Sequence, residues 1–495
     1  MGIVRRQSIQ SSLFTYLGFA FGAFNILVLF PRYFTPEQIG LTRLLLDIGL
    51  LFSTACTLGG IPVVLRFYPE YQAKLPAKDN DLPIITLSLT LIGCLLLCML
   101  VPTLQPTLIR KFGARSPLLV QYFGLIYPLS ITLALFAFFE AFAWALKRTV
   151  LSNALKEFAF RLLTTILILA FIAGWLDFDR FIISYSWIYA LPVAIFLFVF
   201  VREGKFPIPR RISDLTRGQG RKLATFGAFM FSGAIVNIVA RTNDTIILAS
   251  QSKGGLADAA VFTIATYLVT VMDVPQRSLV SITTPFISEA WKENDLTTIS
   301  RLYRKTALNL MIAGLAIFAI VLLNIREIEQ FLGPAYSSLS LLVLIAGLAK
   351  LVDLSTGLNT QILLLSKYWR LDFLTNIGLV ALSIPLNYWL TRRYDVMGPA
   401  YGNIIALVMF NGVRYFFIWK LFGLQPFTRN NGLALGIGLL ALGLAWSLPD
   451  LGSPIVNIAL RTLLFAVIYG MLILKSKVSE DIGELVRIVR SRFNW

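Results

Sequence analysis

Seven of the 44 lysines and arginines in this chain fall inside stretches otherwise apolar enough to cross a bilayer: Arg43, Arg161, Arg241, Arg277, Lys350, Arg414 and Arg461. Several have an acid one helical turn away, namely Asp47, Glu157, Asp244, Asp273 and Asp353. A charge at the bilayer centre costs roughly 2.5–3.5 kcal/mol on the insertion scale, so such groups face a partner or a watery cavity. Cations outnumber acids in this set, which points to a polar path used by something negatively charged. The arginine fork grips phosphate oxygens with two parallel bonds, whereas lysine supplies a point charge. Both at mid-membrane suit a phosphate or pyrophosphate headgroup.

Spacing sharpens the expectation. Asn237, Arg241, Asp244 and Leu248 recur at helical intervals, so the three polar residues share one face. Asp273, Arg277, Ser281 and Thr284 do the same in the next apolar run, with Pro275 between the two charges. A proline there removes a backbone bond, which is tolerable beside a cavity and can serve as a bend. Arg43 and Asp47 precede Gly59, Gly60 and Pro62 in an earlier run, and Lys350 and Asp353 stand near the middle of a later one. The expected substrate-facing residues are therefore Asn25, Arg43, Asn237, Arg241, Arg277 and Lys350. Asp47, Asp244, Asp273 and Asp353 are expected to balance charge, and Asp244, flanked by Asn243 and Thr245, is the candidate to bind a coupling H⁺ or Na⁺. Glu157 and Arg161 read instead as a pair that neutralises itself within one helix. Arg414 and Arg461 read as side chains that snorkel to an interface.

These residues need helices to position them. The chain has 495 residues, is 57% hydrophobic and 14% charged, and has a mean hydropathy of +0.75. A soluble protein carries nearly twice that charged fraction. The sequence reads as an all-α, polytopic membrane protein with about fourteen spans, at 12–30, 39–65, 83–101, 118–143, 154–174, 181–201, 223–249, 257–283, 306–324, 338–365, 371–390, 397–419, 432–448 and 455–474. The first apolar run is expected to stay as helix 1 rather than to be removed as a signal peptide. With the N-terminus inside, cytoplasmic segments hold roughly three times as many basic residues as the opposite loops, so both termini are expected to be cytoplasmic. The same distribution assigns the net charge of +18 to membrane topology rather than to nucleic acid.

The expected organisation is a six-helix lobe (1–202), a basic interlobe loop (203–222), a second six-helix lobe (223–420), an extra helix pair (421–474) and an amphipathic cytoplasmic tail (475–495). The two lobes are expected to surround a central cavity. Faint echoes between Phe21–Ile26 and Gly233–Ile238 hint at an internal repeat, a common device of transporters. In the tail, Ser479 is the expected N-cap of a helix lying on the membrane surface.

Function classes fall away on composition. Histidine is absent, which removes imidazole ligands and His-based nucleophile activation. The three cysteines, Cys56, Cys94 and Cys98, all lie in apolar runs and read as packing residues. No P-loop, metal-ligand cluster or serine-nucleophile elbow occurs, and no external loop is long enough for a catalytic domain. The chain is therefore expected not to be an enzyme and to need no resident cofactor.

The stretch Gln7 to Tyr71 holds Tyr16-Leu17-Gly18-Phe19-Ala20-Phe21-Gly22, then Phe34-Thr35-Pro36-Glu37-Gln38-Ile39-Gly40 and Leu45-Leu46-Asp47-Ile48. It resembles the opening of Wzx-type oligosaccharide flippases, the polysaccharide biosynthesis proteins of the multidrug/oligosaccharidyl-lipid/polysaccharide (MOP) exporter superfamily. Those proteins commonly carry a Pro-Glu-x-aromatic-Gly turn after the first helix; here Ile39 stands at the aromatic position. Many Wzx-type members have twelve helices, whereas lipid II flippases have fourteen, the number counted here. The resemblance implies two six-helix lobes around a cavity that opens alternately to either side. It implies a cationic cavity that passes the headgroup of a polyprenyl-pyrophosphate-linked oligosaccharide across the bacterial inner membrane, in polysaccharide or lipopolysaccharide biosynthesis. Membrane lipids and other polysaccharide-assembly proteins are the implied partners. The rivals are a cation-coupled multidrug exporter on the same scaffold and, from another class, a membrane glycosyltransferase or glycan polymerase.

Overall fold

The structure, a computed structural model, describes residues 2–206, 209, 211–479 and 481. Among them every regular element is helical. Contacts divide the chain into two compact units, 1–260 and 261–495.

In the first unit, the run 12–30 becomes α1 (Gly2–Phe24), a π-turn (Asn25–Leu29) and α2 (Phe30–Tyr33). The run 39–65 does not form one unbroken helix. It breaks into α3 (Pro36–Cys56) and α4 (Gly60–Lys74), because Leu58 and Gly59 both take positive φ, 45° and 79°. Glycine makes that left-handed turn cheap, and a Cβ at Gly59 would also overlap the carbonyl of Gly227. The start of α3 is set locally: Thr35 and Gln38 form a reciprocal capping box, with Pro36 at the first helical position. The third and fourth runs are carried by α5 (Leu82–Phe112), α6 (Pro117–Gln121) and α7 (Ile126–Ala145). The fifth becomes α8 (Thr149–Asn153), a second π segment (Ala154–Ala159) and α9 (Phe160–Ile172), and the sixth α10 (Phe178–Ser186) and α11 (Ala190–Arg202). The seventh run lies in α12 (Asp214–Gln251), which begins well before it. Ser213 caps that extension, and the fully buried Asp81 carboxylate accepts from the Ser213 amide at 2.8 Å and the Thr216 hydroxyl at 2.9 Å. Part of the expected basic loop is thus helix.

An aromatic core holds α4, α7 and α11 together: Phe138, Phe142, Phe196 and Phe200 are fully buried, and Tyr68 meets the Phe142 ring edge-on at 5.4 Å. Such ring pairs add about 0.5–1.5 kcal/mol each beyond the area they bury.

The eighth run opens as α13 (Leu256–Thr270), which reaches into the second unit, and continues as α14 (Asp273–Lys292) after a 47° bend. The break falls at Val271–Met272, so Pro275 lies in the first turn of a new helix, where its missing N–H costs little. Then come α15 (Leu296–Leu332), α16 (Leu339–Ser355) and α17 (Asn359–Leu365), the last two separated at Gly357 (φ 63°). α18 (Trp369–Tyr394) and α19 (Gly398–Phe422) form an extensive antiparallel pair. α20 (Arg429–Trp446) and α21 (Pro454–Lys475) pack on α15 through Leu315, Ile437, Phe465 and Tyr469.

Each of the fourteen apolar runs therefore lies on helix. Length and composition alone pick out ten described helices able to cross a membrane, or eleven with the bent pair counted as one. Four runs account for the difference: α18 and α19 count once because a single 3₁₀ turn joins them, the bent pair α13–α14 is set apart, 149–172 carries Lys156, Glu157 and Arg161, and α20 opens on the polar Arg429, Asn430 and Asn431. The chain is an all-α, multi-pass membrane protein, and a count of fourteen is consistent with the observed paths. The expected tail helix lies almost entirely outside the described residues. At its start the Ser479 hydroxyl donates to Asn309 Oδ1 at 2.7 Å, and Asp481 accepts from Lys305 and Asn309.

Candidate functional site

In the first unit the charged residues gather where α3 lies along α12. Just beyond the end of α12, Gly40 lets α3 approach the start of α13: a Cβ there would overlap the carbonyl of Leu256. Arg43 and Asp47, four residues apart on α3, pair through Nε and Oδ2 at 3.0 Å. Asp47 is 1% exposed and Arg43 39%, so the carboxylate is inside and the guanidinium outside. Across the contact Asp47 meets Thr245 of α12 and lies in electrostatic reach of Arg241. One buried acid thus serves two arginines. Arg241 and Asn237, one turn apart, are both exposed on α12, as the helical spacing requires. Asp244 is half-buried and engaged, beside a buried Asn243 whose amide nitrogen has no hydrogen-bond partner.

Asn25 is the exception among the expected substrate-facing residues. It is buried in the π-turn, where its amide nitrogen donates to the Arg161 carbonyl at 2.9 Å and its oxygen accepts from the Thr165 hydroxyl at 2.8 Å. Both ends of the amide are spent on joining the first span to α9. That geometry gives Asn25 a packing role, and we leave it out of the candidate site. Glu157 and Arg161 pair at 2.7 Å in the same contact, as the sequence reading expects.

In the second unit a denser cluster joins α14, α16 and α19. Lys350 of α16 donates to Asp273 at 2.6 Å, to Gln276 Oε1 at 2.8 Å and to Asp353 at 2.9 Å. An ammonium has three protons, so all of them are used. Gln276 also donates to Asp353 at 3.3 Å, and Asn411 of α19 reaches the other Asp353 oxygen at 3.4 Å while accepting from Thr356. Asp273 sits in the first turn of α14, where the helix dipole favours an anion. Its second cation, Arg277, is only loosely held at 3.8 Å and is 66% exposed, against 26% for Asp273. Lys350 is thus saturated by two acids and an amide, whereas Arg277 keeps an open fork.

Arg414 corrects another expectation. It does not snorkel; it is 1% exposed, paired with Asp372 of α18, hydrogen-bonded to Thr375 and Thr360, and lies over the Phe410 ring at 3.9 Å. Arg461 likewise pairs with Glu327 of α15. Sequence reasoning missed Asp372, Glu327, Gln276 and Asn411, because each partner sits on a different helix, out of reach of any i,i+3 or i,i+4 rule. Among the described residues no group of His, Cys, Asp and Glu could hold a metal ion.

With this geometry in view, the chain can be compared with known proteins. No protein-family model and no curated protein matches it. Solved structures do. The lipid II flippase MurJ in an inward closed conformation superposes with a TM-score of 0.65 at 17% identity, covering 94% of this chain and 99% of MurJ. A multidrug resistance MATE family transporter of the MOP superfamily, inward-facing, gives 0.63 at 14% identity over 83% of this chain and 94% of its own. An outward-facing structure of such a transporter gives 0.52 at 12% identity, over 88% and 96%. The fold is that of MOP-superfamily transporters. At these identities the likeness fixes architecture and leaves the cargo to be argued from this chain's own residues.

Proposed function

We propose that this chain is a Wzx-type flippase. It moves a polyprenyl-pyrophosphate-linked oligosaccharide across the bacterial inner membrane by alternating access, with both termini cytoplasmic, in polysaccharide or lipopolysaccharide biosynthesis. One observation carries the reading. In each unit one intramembrane acid lies deeper than the arginines it faces: Asp47 is buried against the more exposed Arg43 and Arg241, and Asp273 is half-buried against the exposed Arg277. What water and a cargo meet is cationic, with guanidinium forks suited to phosphate oxygens. No covalent chemistry is needed, since a flippase only lowers the barrier for carrying a polar headgroup through hydrocarbon. The neighbours support the general class, one being named a lipid flippase and the others multidrug transporters.

The Lys350 cluster supports coupling to a cation. Two carboxylates share one ammonium, so a proton or Na⁺ on either acid would loosen the tie between α14 and α16, and with it the bend that carries Arg277.

The same cluster is the observation that favours the rival, a cation-coupled multidrug exporter. Proteoliposomes separate the two. Wild-type protein should translocate a polyprenyl-pyrophosphate glycan, with Arg241→Ala and Arg277→Ala each slowing it at least tenfold, about 1.4 kcal/mol of barrier. Unchanged transport in both variants, or efflux of a cationic dye in place of the glycan lipid, would sink the proposal.

A further inference from the structure

A second polar site lies away from the clusters above, at the end of the bundle made by α15, α20 and α21. A partly open cavity of about 320 Å³ is lined there by Arg326, Glu327 and Gln330 of α15, Trp446 at the end of α20, Asp450 of the following turn and Arg461 of α21. Its size falls within the roughly 300–1,000 Å³ of ligand pockets. The Arg461–Glu327 ion pair forms the buried floor. That pair is incomplete: Glu327 Oε2 and Arg461 Nε are both buried and have no hydrogen-bond partner. A native structure rarely leaves such atoms orphaned without a ligand or water to satisfy them.

The exposed groups add a second request. Arg326 has no carboxylate partner among the described residues; its guanidinium is held over the Trp446 ring at 5.1 Å. An aromatic plate that fixes the fork leaves its edge free for a phosphate. Asp450 lies in the α20–α21 turn, where hydrogen bonds from Asn457 and the Gly452 amide, with Arg461 nearby, hold its carboxyl below the usual range. It is therefore an anion at neutral pH. Two arginines and two carboxylates make the lining neutral overall, yet with both signs present.

Position identifies who can supply both signs. The cavity sits at the ends of spans, beside an interfacial tryptophan, and Arg461 is seven residues, roughly 10 Å, into α21. Below it α20 and α21 turn Leu439, Leu440, Leu463 and Val467 outward, a surface for acyl chains. We infer that this cavity binds the headgroup of a zwitterionic phospho-amine lipid, its phosphate on Arg326 and Arg461 and its primary ammonium on Glu327 and Asp450. A glycerol headgroup such as that of phosphatidylglycerol lacks the ammonium, and a quaternary choline headgroup has no N–H to donate to a carboxylate.

Native mass spectrometry of the full chain in mild detergent tests this, with equal amounts of dioleoyl phosphatidylethanolamine, phosphatidylglycerol and phosphatidylcholine as probes. Phosphatidylethanolamine should be retained roughly tenfold over either competitor. Arg326→Ala, a change at an exposed residue, should abolish retention. Glu327→Gln should keep phosphate binding but lose the preference for ethanolamine over choline. Arg241→Ala should bind as wild type does, so this result is independent of the transport reading. Equal retention of the three lipids, preference for phosphatidylglycerol, or full retention in Arg326→Ala would each overturn the inference.

Discussion

Lys350 gives its three protons to three oxygens, two of them on carboxylates that would otherwise face each other inside the membrane. Removing the cation strands both acids. Lys350→Met is therefore expected to cost about 3 kcal/mol, the scale for breaking a buried pair. Adding Asp353→Asn to that variant should recover part of the loss, because it removes one of the two like charges; thermal unfolding in detergent measures both. Arg277 presents the opposite case. Its side chain is mostly exposed and loosely paired, so Arg277→Gln should change stability by less than about 0.5 kcal/mol while slowing glycan-lipid transport. Equal losses of stability in Lys350→Met and Arg277→Gln would erase the distinction drawn between a sealed cation and an open one. At this scale the sequence was partly legible. Pairs such as Arg43–Asp47 and Glu157–Arg161 form as their four-residue spacing demands. Arg414 was not legible, because Asp372 comes from the neighbouring helix and nothing in local spacing points to it.

Elements are where continuous apolar runs misled. The runs 39–65, 257–283 and 338–365 each read as one span, yet each is two helices. Hydropathy sums over a window and does not register a two-residue change of backbone hand. The local signals were Gly59, Gly357 and Pro275, whose meaning depends on what stands opposite. Gly59 is held at φ 79° against the Gly227 carbonyl, so Gly59→Ala should destabilise by on the order of 2 kcal/mol. Gly378, inside α18 with open space around it, is the control. Gly378→Ala should be neutral or stabilise by about 0.4–1 kcal/mol, since alanine restricts the unfolded chain and suits a helix. A chemical-denaturation series on the two variants would show whether the α3–α4 break is a structural requirement. If Gly59→Ala behaved like Gly378→Ala, the left-handed turn could not be the reason for the break.

For the whole molecule the question is which exposed faces meet water and which meet lipid. An exposed arginine within a span is affordable only beside water, whereas an exposed leucine is what lipid requires. On a background with Cys56, Cys94 and Cys98 replaced by alanine, Arg241→Cys and Ser281→Cys should react with a membrane-impermeant charged thiol reagent. Leu463→Cys, exposed on α21, and Thr165→Cys, buried at the Asn25 contact, should not. Labelling of Arg241→Cys as slow as that of Leu463→Cys would place the arginine in lipid and end the polar-path reading.

The sequence by itself determined that this is a helical, multi-pass membrane protein, where its spans run, and which charges share a helix face. Those properties depend on composition and on 3.6 residues per turn, both local. Only the tertiary structure decided which cations are sealed and which stay open. Arg414 and Lys350 are closed off by acids or amides on other helices, whereas Arg241 and Arg277 keep exposed forks. Pairing between helices depends on how closely their faces approach, as at Gly40 and Leu256, and no spacing along one strand of sequence encodes that distance.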